Sequence, residues 1–199
     1  MTDTAVNSDP RLAAALVGAG VASVGWLMAG LRERGREKRR RRARQEDLQV
    51  ALRAEIQHYV DILGNPRFDL NEAWRAMVET MESDPDYVPL IPTERNDTIF
   101  QASIDSIHLL PEAAIQPIVR YYNQVFAIEA IIADLRDTGF RDSTQPQRIK
   151  MYTDYISLKL EALEMGRSAL EALDESISEV RRAQAPSLSI PGAGRSGRK

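Results

Sequence analysis

Apolar residues open this chain as one block and afterwards recur in helical stripes. Residues 12–31 carry no charge. At about 1.5 Å of rise per residue such a run makes about 30 Å of helix, the thickness of a bilayer's hydrocarbon core, so the pattern predicts a transmembrane helix. Downstream, Leu48, Leu52, Ile56, Tyr59 and Leu63 follow one another at helical spacing until Gly64, Asn65 and Pro66 end the stripe. Asp69 and Glu72 have the spacing of a capping box and open a short helix through Trp74, Met77, Val78 and Met81. Pro85, Pro89 and Pro92 forbid regular structure over 83–92, where Tyr87, Val88, Leu90 and Ile91 are expected to plug the side of a bundle.

From Thr93 a further helix is expected to turn Ile99, Phe100, Ile104, Ile107 and Leu110 one way as far as Pro111. The next, kinked or started by Pro117, carries Ile118, Tyr122, Val125, Ile132 and Leu135, with Tyr121, Ile128 and Ile131 widening the stripe. It is expected to be the most buried helix, closed by Gly139. Beginning near Ser143 or Thr144, a last helix repeats Ile149, Ile156, Leu163, Leu170 and Ile177 every seven residues, beside Tyr152, Leu173 and Val180. That is the seam of a coiled coil or of an antiparallel bundle, and the interruptions at Lys159 and Gly166 favour the bundle. No stretch alternates apolar and polar residues for long enough to make a strand.

The expected fold class is therefore all-α: a single N-terminal transmembrane helix continuing into a cytoplasmic antiparallel bundle of about four helices. Residues 1–11 are a short extracytoplasmic arm, 12–31 the span, 32–47 a basic juxtamembrane segment, 48–185 the helical domain, and 186–199 a disordered tail rich in Pro, Ser and Gly.

Charge sets the expected orientation. Arg32, Arg34, Arg36, Lys38, Arg39, Arg40, Arg41, Arg42 and Arg44 follow the apolar run, relieved by Glu33 and Glu37, whereas the arm offers Arg11 against Asp3 and Asp9. The positive-inside bias puts the N-terminus outside and the C-terminus in the cytoplasm, in a single-pass protein of the inner membrane. A signal peptide would carry its charge ahead of the apolar run instead. Anionic lipid headgroups are the expected partner of the basic segment, each cation near the surface contributing about 1 kcal/mol. Nucleic acid is not expected, because no aromatic residue interleaves the cations and the domain that follows is acidic. Within the span, Ala14, Gly18, Ala22, Gly25 and Ala29 line one face and let a second helix approach closely, which marks a helix–helix interface with another copy or a protein partner.

Candidate chemistry changes little. Without cysteine there is no disulfide, thiolate zinc site or cysteine nucleophile. Glu55 and His58 have the spacing used in di-iron bundles, but no second Glu-x-x-His accompanies them. Phosphate loops, nucleophile elbows and zincin motifs are absent from the sequence. No enzymatic activity, cofactor or metal is expected. The functional expectation is a membrane-anchored adaptor or scaffold acting by protein–protein association at the cytoplasmic face. The alternative is a ligand-responsive, membrane-tethered sensor or regulator that binds a small molecule in the bundle near His108, Tyr121 and Tyr122.

Overall fold

The computed structural model describes the backbone of residues 10–67 and 69–184 and the side chains of 32–67 and 69–182. Among the described residues there are six α-helices, one 3-10 helix and no strand. These are α1 (Pro10–Leu63), α2 (Leu70–Ser83), α3 (Thr98–Ser103), a 3-10 helix (Ile104–Leu109), α4 (Glu112–Arg136), α5 (Thr138–Asp142) and α6 (Gln145–Gln184). The chain divides between Gln45 and Glu46 into two compact units.

Of the first unit, the described side chains begin at Arg32. Among the described residues no helix is long and apolar enough to cross a membrane. The run 12–31, on which the expected span rests, contributes backbone to α1, but its side chains lie outside the described ones. So do the small residues Ala14, Gly18, Ala22, Gly25 and Ala29, the arm, and the tail after Gln184.

The second unit is a helical bundle whose core follows the stripes read from the sequence on α1, α4 and α6, whereas Ile104 of the stripe expected from Thr93 is 46% exposed, because the chain winds into a 3-10 helix there and its residues do not keep the α-helical face. On α1, Leu48, Leu52, Ile56, Tyr59 and Leu63 are all buried; on α4, Ile118, Tyr121, Tyr122, Val125, Ile128, Ile132 and Leu135 are. On α6 the heptad residues Ile156, Leu163, Leu170 and Ile177 turn inward with Tyr152 and Leu173. The bundle is organised about α6 rather than strictly up-and-down. Gln49 of α1 bonds Ser176 at 2.5 Å, and an added Cβ on Gly166 would meet Val60. As α1 ascends, its partners on α6 therefore descend. α2 continues in the same sense along the other half of α6: Trp74 Nε1 donates to Thr153 Oγ1 at 3.0 Å, and Gln145 Nε2 to the Met81 carbonyl at 2.6 Å. α4 also opposes α6, with Tyr121 beside Gly166 and Gln124 Nε2 donating to the Leu158 carbonyl at 3.1 Å. α1, α2 and α4 thus run one way and α6 runs back against them, its 40 residues long enough to face α1 and α2 in succession.

Local chemistry accounts for the element ends, including those that differ from expectation. Asp69 caps α2, its carboxylate accepting from the backbone N–H groups of Asn71 (2.8 Å) and Glu72 (3.4 Å). Instead of one helix from Thr93, the chain has no regular structure through residue 97, then forms a six-residue α3 and a 3-10 helix. Pro111 stands at the N-cap of α4 and Pro117 lies inside that helix, where it forfeits one intrahelical bond. α4 ends not at Gly139 but at Asp137, whose extended backbone breaks the helix while its carboxylate accepts from the Thr138 N–H at 2.8 Å and starts α5.

The segment 84–97 is a strap laid along α6. Proline has no N–H, so the strap is held largely through its carbonyls: Arg148 donates to the Pro85 carbonyl and Arg136 Nη1 to the Ile91 carbonyl at 2.6 Å. Ile91 is buried as expected, but Leu90 is 91% exposed, because the extended backbone turns alternate residues to opposite sides.

Candidate functional site

Three places carry polar or charged groups in arrangements that packing alone does not require. The first is the basic collar in α1. From Arg32 to Arg44 the only uncharged residues are Gly35 and Ala43, and all nine cations are exposed. At about 100° per residue they surround the whole circumference of the helix, leaving no apolar face to pack into a core. Among the described residues none of the nine forms an ion pair. The collar is therefore a rod of positive charge whose counter-ions come from its surroundings.

The second is a pair of carboxylates that fix the strap and α3 to the bundle. Glu94, on the strap, accepts from Tyr59 Oη of α1 at 2.8 Å and from Tyr155 Oη of α6 at 3.0 Å, and pairs with Lys159 Nζ at 2.5 Å. The ammonium also lies 4.7 Å from the centre of the Tyr155 ring. Glu55, on α1, accepts from the backbone N–H groups of Ile99 (2.6 Å) and Phe100 (3.0 Å) and from Tyr122 Oη (2.7 Å). It caps α3 from another helix, where Asp97 at the N-cap position makes no side-chain cap. Burial first, and the neighbouring carboxylate second, raise the Tyr59 and Tyr155 phenols well above their ordinary range. Burial raises Tyr121 and Tyr122 too, with Glu55 adding to each.

This has a consequence in alkali. An unfolded tyrosine ionises near pH 10, whereas these four hold their protons higher, so above that pH the folded state binds protons that the unfolded state has lost. Stability is complete below about pH 10 and falls as pH rises further, by up to about 1.4 kcal/mol per pH unit for each tyrosine. The tyrosinate absorbance of these four is expected to appear together with loss of helical circular dichroism above pH 10. Smooth titration of all the tyrosines in a still-helical protein would contradict the sealed placement.

The third place is a cleft of about 620 Å³ between α4 and α6. Half-buried Pro117, Leu160 and Met165 form its floor, while exposed Arg120, Glu161 and Glu164 stand on its rim. Glu161 and Glu164 are both exposed, and nothing in their spacing along the sequence announces the cleft.

No family model, no curated protein and no solved structure matches the chain. Function therefore has to be read from these three places.

The residues of the expected ligand site do not meet in an open cavity. Tyr121 and Tyr122 are fully buried: the Tyr122 ring stacks on Phe100 at 3.9 Å, and Tyr121 meets Tyr122 edge-on at 4.9 Å. His108 is exposed on the 3-10 helix, its Nδ1 2.8 Å from the Asp105 carbonyl. None of the three lines the α4–α6 cleft. Among the described residues no group of three or more His, Cys, Asp or Glu side chains is placed to hold a metal ion.

Proposed function

We propose that the chain is a membrane-anchored helical adaptor, held in the inner membrane by residues 12–31 with its bundle on the cytoplasmic side, and acting by association with protein. The observation that carries this reading is the abrupt succession of an uncharged, span-length run and nine exposed cations, none of which forms an ion pair among the described residues. Lipid accounts for both, since hydrocarbon accepts the first and anionic headgroups supply counter-ions to the second. Ala14, Gly18, Ala22, Gly25 and Ala29 give the span a face on which another helix can pack. The polar groups of the bundle support the same reading: Glu55, Glu94 and Lys159 tie elements of the bundle together.

Fractionation tests it. Full-length protein is expected in the membrane pellet after a high-salt wash, and a reporter fused to its C-terminus is expected to be active in the cytoplasm. Recovery in the soluble fraction, or a periplasmic C-terminus, would overturn the reading.

A further inference from the structure

We infer that the α4–α6 cleft is the surface on which a second copy of this chain docks, related to the first by a two-fold axis parallel to the two helices. The inference deepens the adaptor reading and rests on it, since it names the protein that the bundle meets. Its basis is the distribution of charge around an apolar floor. Arg120 stands on α4, whereas Glu161 and Glu164 stand across the cleft on α6. Glu161 already accepts from Gln124 Nε2 at 3.0 Å and Glu164 from Arg167 Nη1 at 2.8 Å, while Arg120 forms no ion pair among the described residues.

Two faces of this kind can meet about either of two two-fold axes lying in the plane of contact. An axis perpendicular to the helices sets α4 on α4 and α6 on α6, bringing arginine to arginine and glutamate to glutamate. An axis parallel to them sets each α4 on the other copy's α6 at the same height. Each Arg120 then enters the opposite cleft, its methylene stem lying on Leu160 and Met165 and its guanidinium between Glu161 and Glu164. Such an interface is self-complementary and closes at two copies.

Light scattering of the full-length protein in detergent micelles decides the matter. The wild type is expected to be a dimer, and Arg120→Glu to weaken it about tenfold or more, because like charges then face each other. Combining Arg120→Glu with Glu161→Arg and Glu164→Arg is expected to restore the dimer by exchanging the two signs. All three positions are exposed, and unchanged thermal unfolding confirms that each variant is folded. A dimer that survives Arg120→Glu but is lost on Gly18→Leu would place the contact in the span and overturn the inference, leaving the adaptor reading intact. A wild-type monomer in the membrane fraction that crosslinks to a different protein would do the same. A soluble monomer would overturn both.

Discussion

Replacing Glu94 by alanine is expected to lower the unfolding free energy of the bundle by about 3–5 kcal/mol, the range for removing one partner of a buried ion pair. The carboxylate is shared by three donors, and its pair with Lys159 is largely buried, the two side chains being 17% and 12% exposed. Without it the ammonium keeps only the face of Tyr155, and the Tyr59 and Tyr155 hydroxyls lose their acceptor. The strap also loses its main side-chain anchor to α1 and α6. Glu94→Gln retains an acceptor but not the charge, so its loss should fall between those of wild type and alanine. Urea denaturation of the full-length protein in detergent, followed by circular dichroism, measures both. A cost below about 1 kcal/mol for the alanine variant, the value of an exposed pair, would show that the strap is held by packing instead.

Adding side chain at Gly166 is expected to be nearly as damaging, although the substitution improves helix propensity. A Cβ there would lie 2.5 Å from Val60 Cγ2 and 3.1 Å from Tyr121 Cε2, so three helices meet at a point with room for a hydrogen and no more. Val60 is β-branched and buried, and Tyr121 is fully buried, so neither can swing clear. Gly166→Ala gains about 1 kcal/mol of propensity and forfeits about 1–3 by overpacking, leaving a small net loss. Gly166→Leu should cost at least about 3 kcal/mol, since the added branch has to displace α1 or α4. The double variant Val60→Ala, Gly166→Ala separates the two terms: removing the opposing methyls should lower the cost of the Gly166→Ala step to what the contact with Tyr121 leaves, and the non-additivity reads the Val60 clash directly. Additive losses would mean that the helices part easily at this point.

These two positions also show how far the sequence reaches. The heptad stripe of α6 is visible from residue 149 onward because periodicity is a local property, fixed by 3.6 residues per turn. Its breaks at Lys159 and Gly166 are equally visible, and they point to a bundle. Their causes are not visible. Lys159 interrupts the seam because a glutamate 65 positions earlier arrives on a strap, and Gly166 because α1 and α4 both crowd it. Likewise Glu55 reads as half of an absent metal motif, yet it caps a helix that begins more than forty residues later. The start of α3 has the same origin, because the carboxylate that caps it lies far away in the sequence, whereas the break at Asp137 is made locally by that residue's own backbone and carboxylate.

By itself, the sequence determined the helical class, the buried stripes of α1, α4 and α6 and the segregation of positive charge into a collar. Each of these follows from side-chain polarity at intervals shorter than two turns of helix. Only the tertiary structure decided that α6 runs against α1, α2 and α4 together, that Leu90 faces outward, and that Arg120 stands across a cleft from Glu161 and Glu164. Those outcomes depend on which surfaces far apart in the chain come into contact, and contact energies between distant segments leave no periodic trace in either one.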